Sequence, residues 1–314
     1  MVKTGWAPRT RSGYSSAVRR YLTFTSTHAL DPLPIQERVL LWYVAYLEIQ
    51  GLAPATVKNY LAAIRAWVLS LGLPEPVIWS PRVHLACRAM VRTHAPPRQV
   101  SPITYQLLSS MIHLLTPSRD HLLLAAAISL QYFACLRASE LCSNTCQARV
   151  PARSDISFYS RDSVPIMVYT CHTSKTAAHG FDVHVGCSGA LVCAVCIMHH
   201  FISSYPASPH DPLFALSSGQ ALTYEAYNSA IKQLVRALGL NPKNYSSHSL
   251  RAGAATQAAQ TGLDPDSIKR LGRWRSQAYM VYLRPPPESY ARFAPKLVHH
   301  TSPHLTHPIH PNHS

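Results

Sequence analysis

Acidic residues are what this chain has least of. Asp and Glu number 14 in 314 residues, and they are scattered rather than grouped. Nucleases that hold catalytic ions with carboxylates need several such groups at one place, so that class is disfavoured. Long apolar runs are also missing. The longest, Leu122 to Leu136, is about 15 residues and is interrupted by Ser129 and Gln131. Crossing a bilayer takes about 20 apolar residues, so this run reads as a buried core helix and no membrane partner is expected. Met1 to Leu30 is polar and Arg-rich without an apolar segment, which predicts no secretory signal. Without a secretory context, the eight cysteines read as reduced thiols rather than a disulfide framework. An intracellular protein is predicted.

Against that scarcity stand 29 Lys and Arg, for a formal charge of +15. Such an excess favours a polyanionic partner, nucleic acid first, with plain solubility as the alternative. The charge is not massed in a tail: residues 1–100 hold 12 basic and 4 acidic side chains, or +8, and the rest carries +7. Both halves are therefore expected to touch the polyanion.

Residues 12–94 read as helices separated by proline breaks, a small basic module. Tyr21, Leu22 and Phe24 lie in a first helix and Val39 to Ile49 in a second. Pro54 opens a third, Ala55 to Leu71, stopped by Gly72 and Pro74. In it Val57, Leu61, Ile64, Val68 and Leu71 recur every three or four residues as one buried stripe, opposite Lys58 and Arg65. A fourth helix, Arg82 to Thr93, presents Arg88 and Arg92. Pro96-Pro97 marks a linker. The boundaries predicted are 1–95 for a helical core-binding module, 96–103 for the linker, 104–295 for a mixed α+β unit and 296–314 for a disordered tail. That tail holds six histidines among Pro, Ser and Thr.

In the larger unit, helices are predicted at 104–115 and 119–135. Strands follow at Val164 to Thr170 and Phe181 to Val185, joined by Ser174 to Gly180. A short strand is possible at Pro212 to Leu216. Further helices are expected at Tyr224 to Leu238, at His248 to Thr261 after Ser246 or Ser247, and from Pro265 to near Gly272. A last short one holds Gln277 to Tyr282. The fold class is thus mainly α with a small antiparallel sheet.

Several of these residues suit phosphodiester chemistry. Arg137 ends the long buried helix, and its planar fork of donors matches phosphate oxygens. Glu140 is placed to hold that fork. His248 and Arg251 share one helix face at i and i+3, where an imidazole can take a proton beside a bound phosphate. Lys175, in the turn between two strands, can reach and protonate a leaving oxygen. Trp274 offers one N–H donor. Tyr282 and Tyr279 are both candidate nucleophiles, and periodicity does not choose between them. Each residue alone has a structural reading: a helix ion pair, a solvated lysine, packed aromatics. Cys193-Ala194-Val195-Cys196, with Cys187 before and His199 and His200 after, has zinc-like spacing. The pair enters an apolar helix, however, and is read as ordinary buried thiols, with no metal and no cofactor.

The ordered set Arg137, Lys175, His248-x-x-Arg251, Trp274 and Tyr282 resembles the tyrosine recombinase (phage integrase) family. Gly272-Arg273-Trp274 and Tyr282-Leu283-Arg284 look most similar to the DIRS-like and Crypton-like recombinases of eukaryotic mobile elements. The resemblance implies an N-terminal helical core-binding domain followed by a mixed α+β catalytic domain. It also implies a DNA breaking–rejoining activity independent of metal and ATP. Arg137 and Arg251 would neutralise the scissile phosphate and Tyr282 would attack it, giving a 3′-phosphotyrosyl bond. Lys175 would protonate the 5′ oxygen, His248 would assist proton transfer and Trp274 would position the phosphate. Double-stranded DNA, a homotetramer on two DNA sites and a nuclear location follow from the same likeness. Many relatives carry His directly after the glycine; here that position is Arg273, which makes Arg273 an alternative to Trp274. A catalytically silent DNA-binding remnant of a mobile element is the other reading.

Overall fold

The computed structural model describes residues 8–95, 100–143, 149–172 and 180–282. The chain divides into two compact units, 1–99 and 100–314. The histidine-rich tail, Pro96 to Gln99 of the linker and Lys175 lie outside the described residues. Among the described residues no helix is long and apolar enough to cross a membrane.

The first unit is built of α1 (Pro8–Thr27), α2 (Glu37–Ile49), α3 (Pro54–Ser70) and α4 (Pro81–Thr93). Proline sets the start of two of them. Pro54 takes the first turn of α3, and Pro81 does the same in α4, where the Ser80 hydroxyl accepts the Val83 N–H at 3.3 Å. One apolar stripe from each helix meets at a common core around Tyr21, Tyr43, Leu61, Ile64 and Met90, all fully buried. The α3 stripe ends one residue early. Leu71 is 51 % exposed, because the helix stops at Ser70 and Gly72 turns the chain with φ +74°. Lys58, Arg88 and Arg92 stay exposed.

The second unit is organised around α6 (Arg119–Phe133), which is buried on all sides from Leu123 to Tyr132. Around it lie α5 (Tyr105–His113), α7 (Ala194–Ser204), α8 (Tyr224–Ala237), α9 (His248–Gln260) and α10 (Pro265–Leu271). A three-stranded antiparallel sheet runs in the order β1 (Ile156–Arg161), β2 (Val164–Cys171), β3 (Phe181–Gly186). The first hairpin turns through Asp162 and Ser163, both at positive φ, a twist that suits flanking strands. In place of a strand at 212–216 there are only isolated bridges, from Pro212 to Ala152 and from Ala215 to Ala221. Ser101 and Ile103 already belong to this unit: their N–H groups donate to Asn244 and Ser249 carbonyls at 2.7 and 2.9 Å. Part of the segment 96–103 is therefore packed structure rather than a spacer.

The two polar residues that interrupt the apolar run have work inside the core. Ser129 bonds back to the Ala126 carbonyl at 3.1 Å. Gln131 donates to the Leu136 and Ser247 carbonyls at 3.2 and 3.0 Å and accepts the Tyr227 hydroxyl at 2.7 Å. One buried amide thus ties the end of α6 to α8 and to the start of α9, and a fully satisfied buried network of this kind specifies one arrangement.

Candidate active site

The end of α6 is a tight reversal. Cys135 N–H donates to the Tyr132 carbonyl at 3.1 Å and Leu136 N–H to that of Gln131 at 3.0 Å. Cys135 itself takes φ +49°, a conformation more often given to glycine past a helix end. The chain then leaves extended through Arg137, which heads a 3-10 turn, Ala138–Glu140. Glu140 folds back, accepting the Arg137 backbone N–H with Oε2 and the guanidinium Nη1 with Oε1, each at 2.8 Å. The carboxylate is buried and the Arg137 side chain keeps part of its surface exposed. The pair therefore spans a helix end instead of lying within a helix.

Arg251 reaches the same reversal from α9. Its Nη1 donates to the Cys135 carbonyl at 2.6 Å and its Nη2 to the Gly272 carbonyl. Its guanidinium lies 4.2 Å from the centre of the Trp274 ring, and the residue is only 2 % exposed. Arg273 turns inward with φ +55°. Its Nη1 donates to the Leu271 carbonyl and its Nη2 to those of Ala134 and Cys135, at 3.0 to 3.2 Å, while the guanidinium covers the Phe181 ring. The Cys135 carbonyl is thus shared by two arginines. Two guanidiniums face one carboxylate: Glu140 Oε1 is 2.8 Å from Arg137 and its Oε2 is 3.8 Å from Arg273, while Arg251 meets Arg273 at the Cys135 carbonyl. Among the described residues the cluster gathers three guanidiniums and one carboxylate in partly desolvated surroundings, an arrangement that favours an anion. Burial pulls the Arg251 and Arg273 guanidiniums below the usual arginine value. They remain charged near neutrality, because arginine starts so high.

His248 opens α9. Its ring is pulled below the ordinary histidine value first by partial burial, then by the Arg251 and Arg137 charges, although the residue as a whole keeps solvent contact. Near neutral pH the imidazole is therefore uncharged and able to accept a proton. The Ser247 side chain does not cap α9; the His248 N–H is met instead by the Ser246 hydroxyl, at 3.3 Å.

The two tyrosines part company. Tyr279 is 4 % exposed and packs in a small apolar cluster with Ala255, Ala258 and Ile268. Tyr282 is half-buried at the end of a 3-10 turn, Gln277–Val281. Its N–H donates to the Tyr279 carbonyl at 2.9 Å and its carbonyl accepts the Thr256 hydroxyl at 2.6 Å. The Trp274 ring stands between, 5.7 Å from the Tyr282 ring and 6.0 Å from the Tyr279 ring. Arg251, Trp274 and Tyr282 thus form one stack. Gly272 makes room for it, since a Cβ there would lie 1.7 Å from Trp274 Cζ3. Behind α9, a Cβ on Gly253 would lie 1.7 Å from the Ile103 carbonyl oxygen.

The structure therefore brings together Arg137, Glu140, His248, Arg251, Arg273, Trp274 and Tyr282. Sequence reasoning missed two contributors: the Cys135 carbonyl, and the Gln131–Tyr227 bond that seats the start of α9. A polar residue inside an otherwise apolar buried helix was the available signal for Gln131. The reading of Cys187, Cys193 and Cys196 as ordinary buried thiols is corrected. Cys193 is buried, but Cys187 is intermediate and Cys196 exposed, because the first turn of α7 stands at the edge of the core.

The sequence profile described as the phage integrase family matches residues 103–285. Among curated proteins no significant sequence match was found. Solved structures of similar fold include a Tn1549 transposon integrase in complex with transposon right end DNA, at 14 % identity and TM-score 0.64 over 94 % of this chain and 95 % of that one. XerH recombinase bound to a difH substrate aligns at 15 % identity and TM-score 0.58, over 88 % and 76 %. A lambda integrase dimer on a core site does so at 15 % and 0.58, over 90 % and 73 %.

Proposed function

Because this chain belongs to the phage integrase family, we propose that it breaks and rejoins DNA strands at the Arg137–His248–Arg251–Tyr282 cluster. A site-specific recombinase or integrase is what the family and the fold support together. The observation that carries the catalytic reading is the gathering of three guanidiniums, two at the Glu140 carboxylate and two at the Cys135 carbonyl, beside an uncharged histidine and a half-buried tyrosine.

In this reading Arg137 and Arg251 draw a scissile phosphate to the cluster, where fixed positive groups favour the negative charge on its non-bridging oxygens. The Tyr282 hydroxyl attacks phosphorus as His248 takes its proton. The phosphorus–O5′ bond breaks, leaving a 3′-phosphotyrosyl linkage, and Lys175 gives a proton to the departing 5′ oxygen. Attack by a 5′ hydroxyl of a second strand reverses these steps, so the phosphodiester energy is conserved without ATP or a metal. Trp274 holds Arg251 and Tyr282 in one stack. Arg273, bound to three backbone carbonyls, shapes the loop from inside. The units proposed are a core-binding domain at 1–95 and a catalytic domain at 104–295, acting on double-stranded DNA as a homotetramer across two sites. The finer likeness to DIRS-like and Crypton-like elements, and with it a nuclear location, rests on Gly272-Arg273-Trp274 and Tyr282-Leu283-Arg284.

The test is trapping on nicked duplex DNA carrying candidate ends of the element. A covalent protein–DNA adduct should form, survive denaturant and EDTA, and vanish in Tyr282→Phe. An adduct from Tyr282→Phe that Tyr279→Phe abolishes would move the nucleophile. DNA binding with no adduct from either tyrosine would favour the silent remnant.

A further inference from the structure

Three thiols gather at the edge of the second unit, away from the arginine cluster. Cys187 directly follows β3, Cys193 is the residue before α7, and Cys196 lies in its first turn. Cys187 Sγ is 3.6 Å from both Cys196 Sγ and Cys193 Sγ, and the three sulfurs lie within 4.8 Å of one another. We propose that Cys187, Cys193 and Cys196 bind a zinc ion through three thiolates, with solvent in the fourth position.

Geometry is the first support. Zinc–sulfur bonds of about 2.3 Å in a tetrahedron hold neighbouring sulfurs about 3.8 Å apart, close to the 3.6 Å found. A disulfide, at about 2.05 Å, is much shorter and would pair only two of the three. Backbone placement is the second. The Ser188 N–H donates to Cys193 Sγ at 3.4 Å, and Cys193 and Cys196 flank the start of a helix, where exposed N–H groups favour negative sulfur. As the ion binds, the thiols release their protons to solvent.

The two nearby histidines are otherwise engaged. The His199 ring packs edge-on against Phe158, and His200 Nδ1 meets the Ser204 hydroxyl at 3.4 Å. Cys196 is exposed, so water reaches the open position. The ion would clamp the end of β3 to the start of α7, whose Met198 and Phe201 are buried in the main core. It would steady the catalytic unit without touching the reacting groups.

The experiment uses the full chain, expressed in zinc-supplemented medium and purified under reducing, anaerobic conditions. Elemental analysis should find one zinc per chain. Cobalt exchanged into the site should give thiolate-to-cobalt charge-transfer bands and tetrahedral d–d bands. Cys196→Ser, at an exposed position, should weaken zinc binding by more than about 100-fold, while Cys87→Ala in the other unit should not change it. Chelation of the wild-type chain should lower its unfolding temperature, and zinc should restore it. Substoichiometric zinc without cobalt–thiolate bands would overturn the proposal. So would a disulfide among these cysteines in the anaerobic protein, or full zinc retention by Cys196→Ser. Adduct formation on DNA is scored separately, so failure here leaves the recombinase reading intact.

Discussion

Replacing Gly272 with alanine isolates the packing that joins Arg251 to Tyr282. Gly272 has φ −88° and ψ 0°, a negative-φ conformation open to alanine, so no left-handed backbone strain enters. What does enter is a Cβ placed 1.7 Å from Cζ3 and 2.2 Å from Cε3 and Cη2 of Trp274. The ring must leave, and with it goes the contact on the Arg251 guanidinium and on Tyr282. Overpacking costs about 1–3 kcal/mol, and a desolvated cation–π contact adds roughly 1–2 kcal/mol. The stiffer unfolded chain returns only about 0.4–1 kcal/mol. A net loss of about 1–5 kcal/mol is expected, or roughly 2–20 °C in unfolding temperature for a unit of this size. Trapping on nicked DNA should slow as well, since Arg251 and Tyr282 lose their shared support. The decisive measurement is the double-mutant cycle with Trp274→Ala. Once the indole is gone the added methyl has nothing to strike, so the two substitutions should be non-additive by at least about 1 kcal/mol. Additivity within about 0.5 kcal/mol would refute the stack as the reason for this glycine.

Other consequences can be checked independently. His248 is held below the ordinary histidine value of about 6.5, and its working form is neutral. The acid limb of kcat/KM for adduct formation should therefore fall below pH 6.5 and disappear in His248→Gln; a limb well above that pH would contradict the assignment. Gln131→Leu strands the Tyr227 hydroxyl and two carbonyls, each at roughly 1–3 kcal/mol, and Tyr227→Phe in the same chain should recover part of the loss in denaturant unfolding. Gly253→Ala gains up to about 1 kcal/mol of helix propensity, yet its Cβ meets the backbone carbonyl of Ile103. A lower unfolding temperature is expected, and an unchanged or raised one would mean that residues 101–103 do not lie across α9.

The sequence made the helical frame readable because proline, glycine and serine mark most of its ends. Pro54 is the first residue of α3, Pro265 the first of α10, and Gly72 follows the last residue of α3 by two. The first strand was harder to see: β1 is buried only at Ile156, so it lacks the alternation that marks a half-buried strand. At the site, Arg137, His248 and Arg251 were legible from their chemistry and order. The division of labour between Trp274 and Arg273 was not. It depends on the left-handed backbone at Arg273, which sends one side chain toward backbone carbonyls and the next over Arg251. Nor could spacing separate Tyr279 from Tyr282, because burial distinguishes them and burial is tertiary.

The Arg137, His248 and Arg251 side chains are anchored at the ends of α6 and α9, joined through the buried Gln131 amide and the Cys135 carbonyl. The segment that carries Tyr282 has a different footing: among the described residues, a four-residue apolar cluster, the edge of the Trp274 packing, a short 3-10 turn and one hydroxyl bond from Thr256. Local opening free energy follows buried contacts. The groups that would bind a phosphate therefore share the global stability of the unit, while the residue that would attack sits on a piece able to open without unfolding it. In hydrogen exchange, amides of 277–282 should trade their protons long before those of α6. The protein would then keep a permanent anion-binding surface and a nucleophile of far shorter residence time.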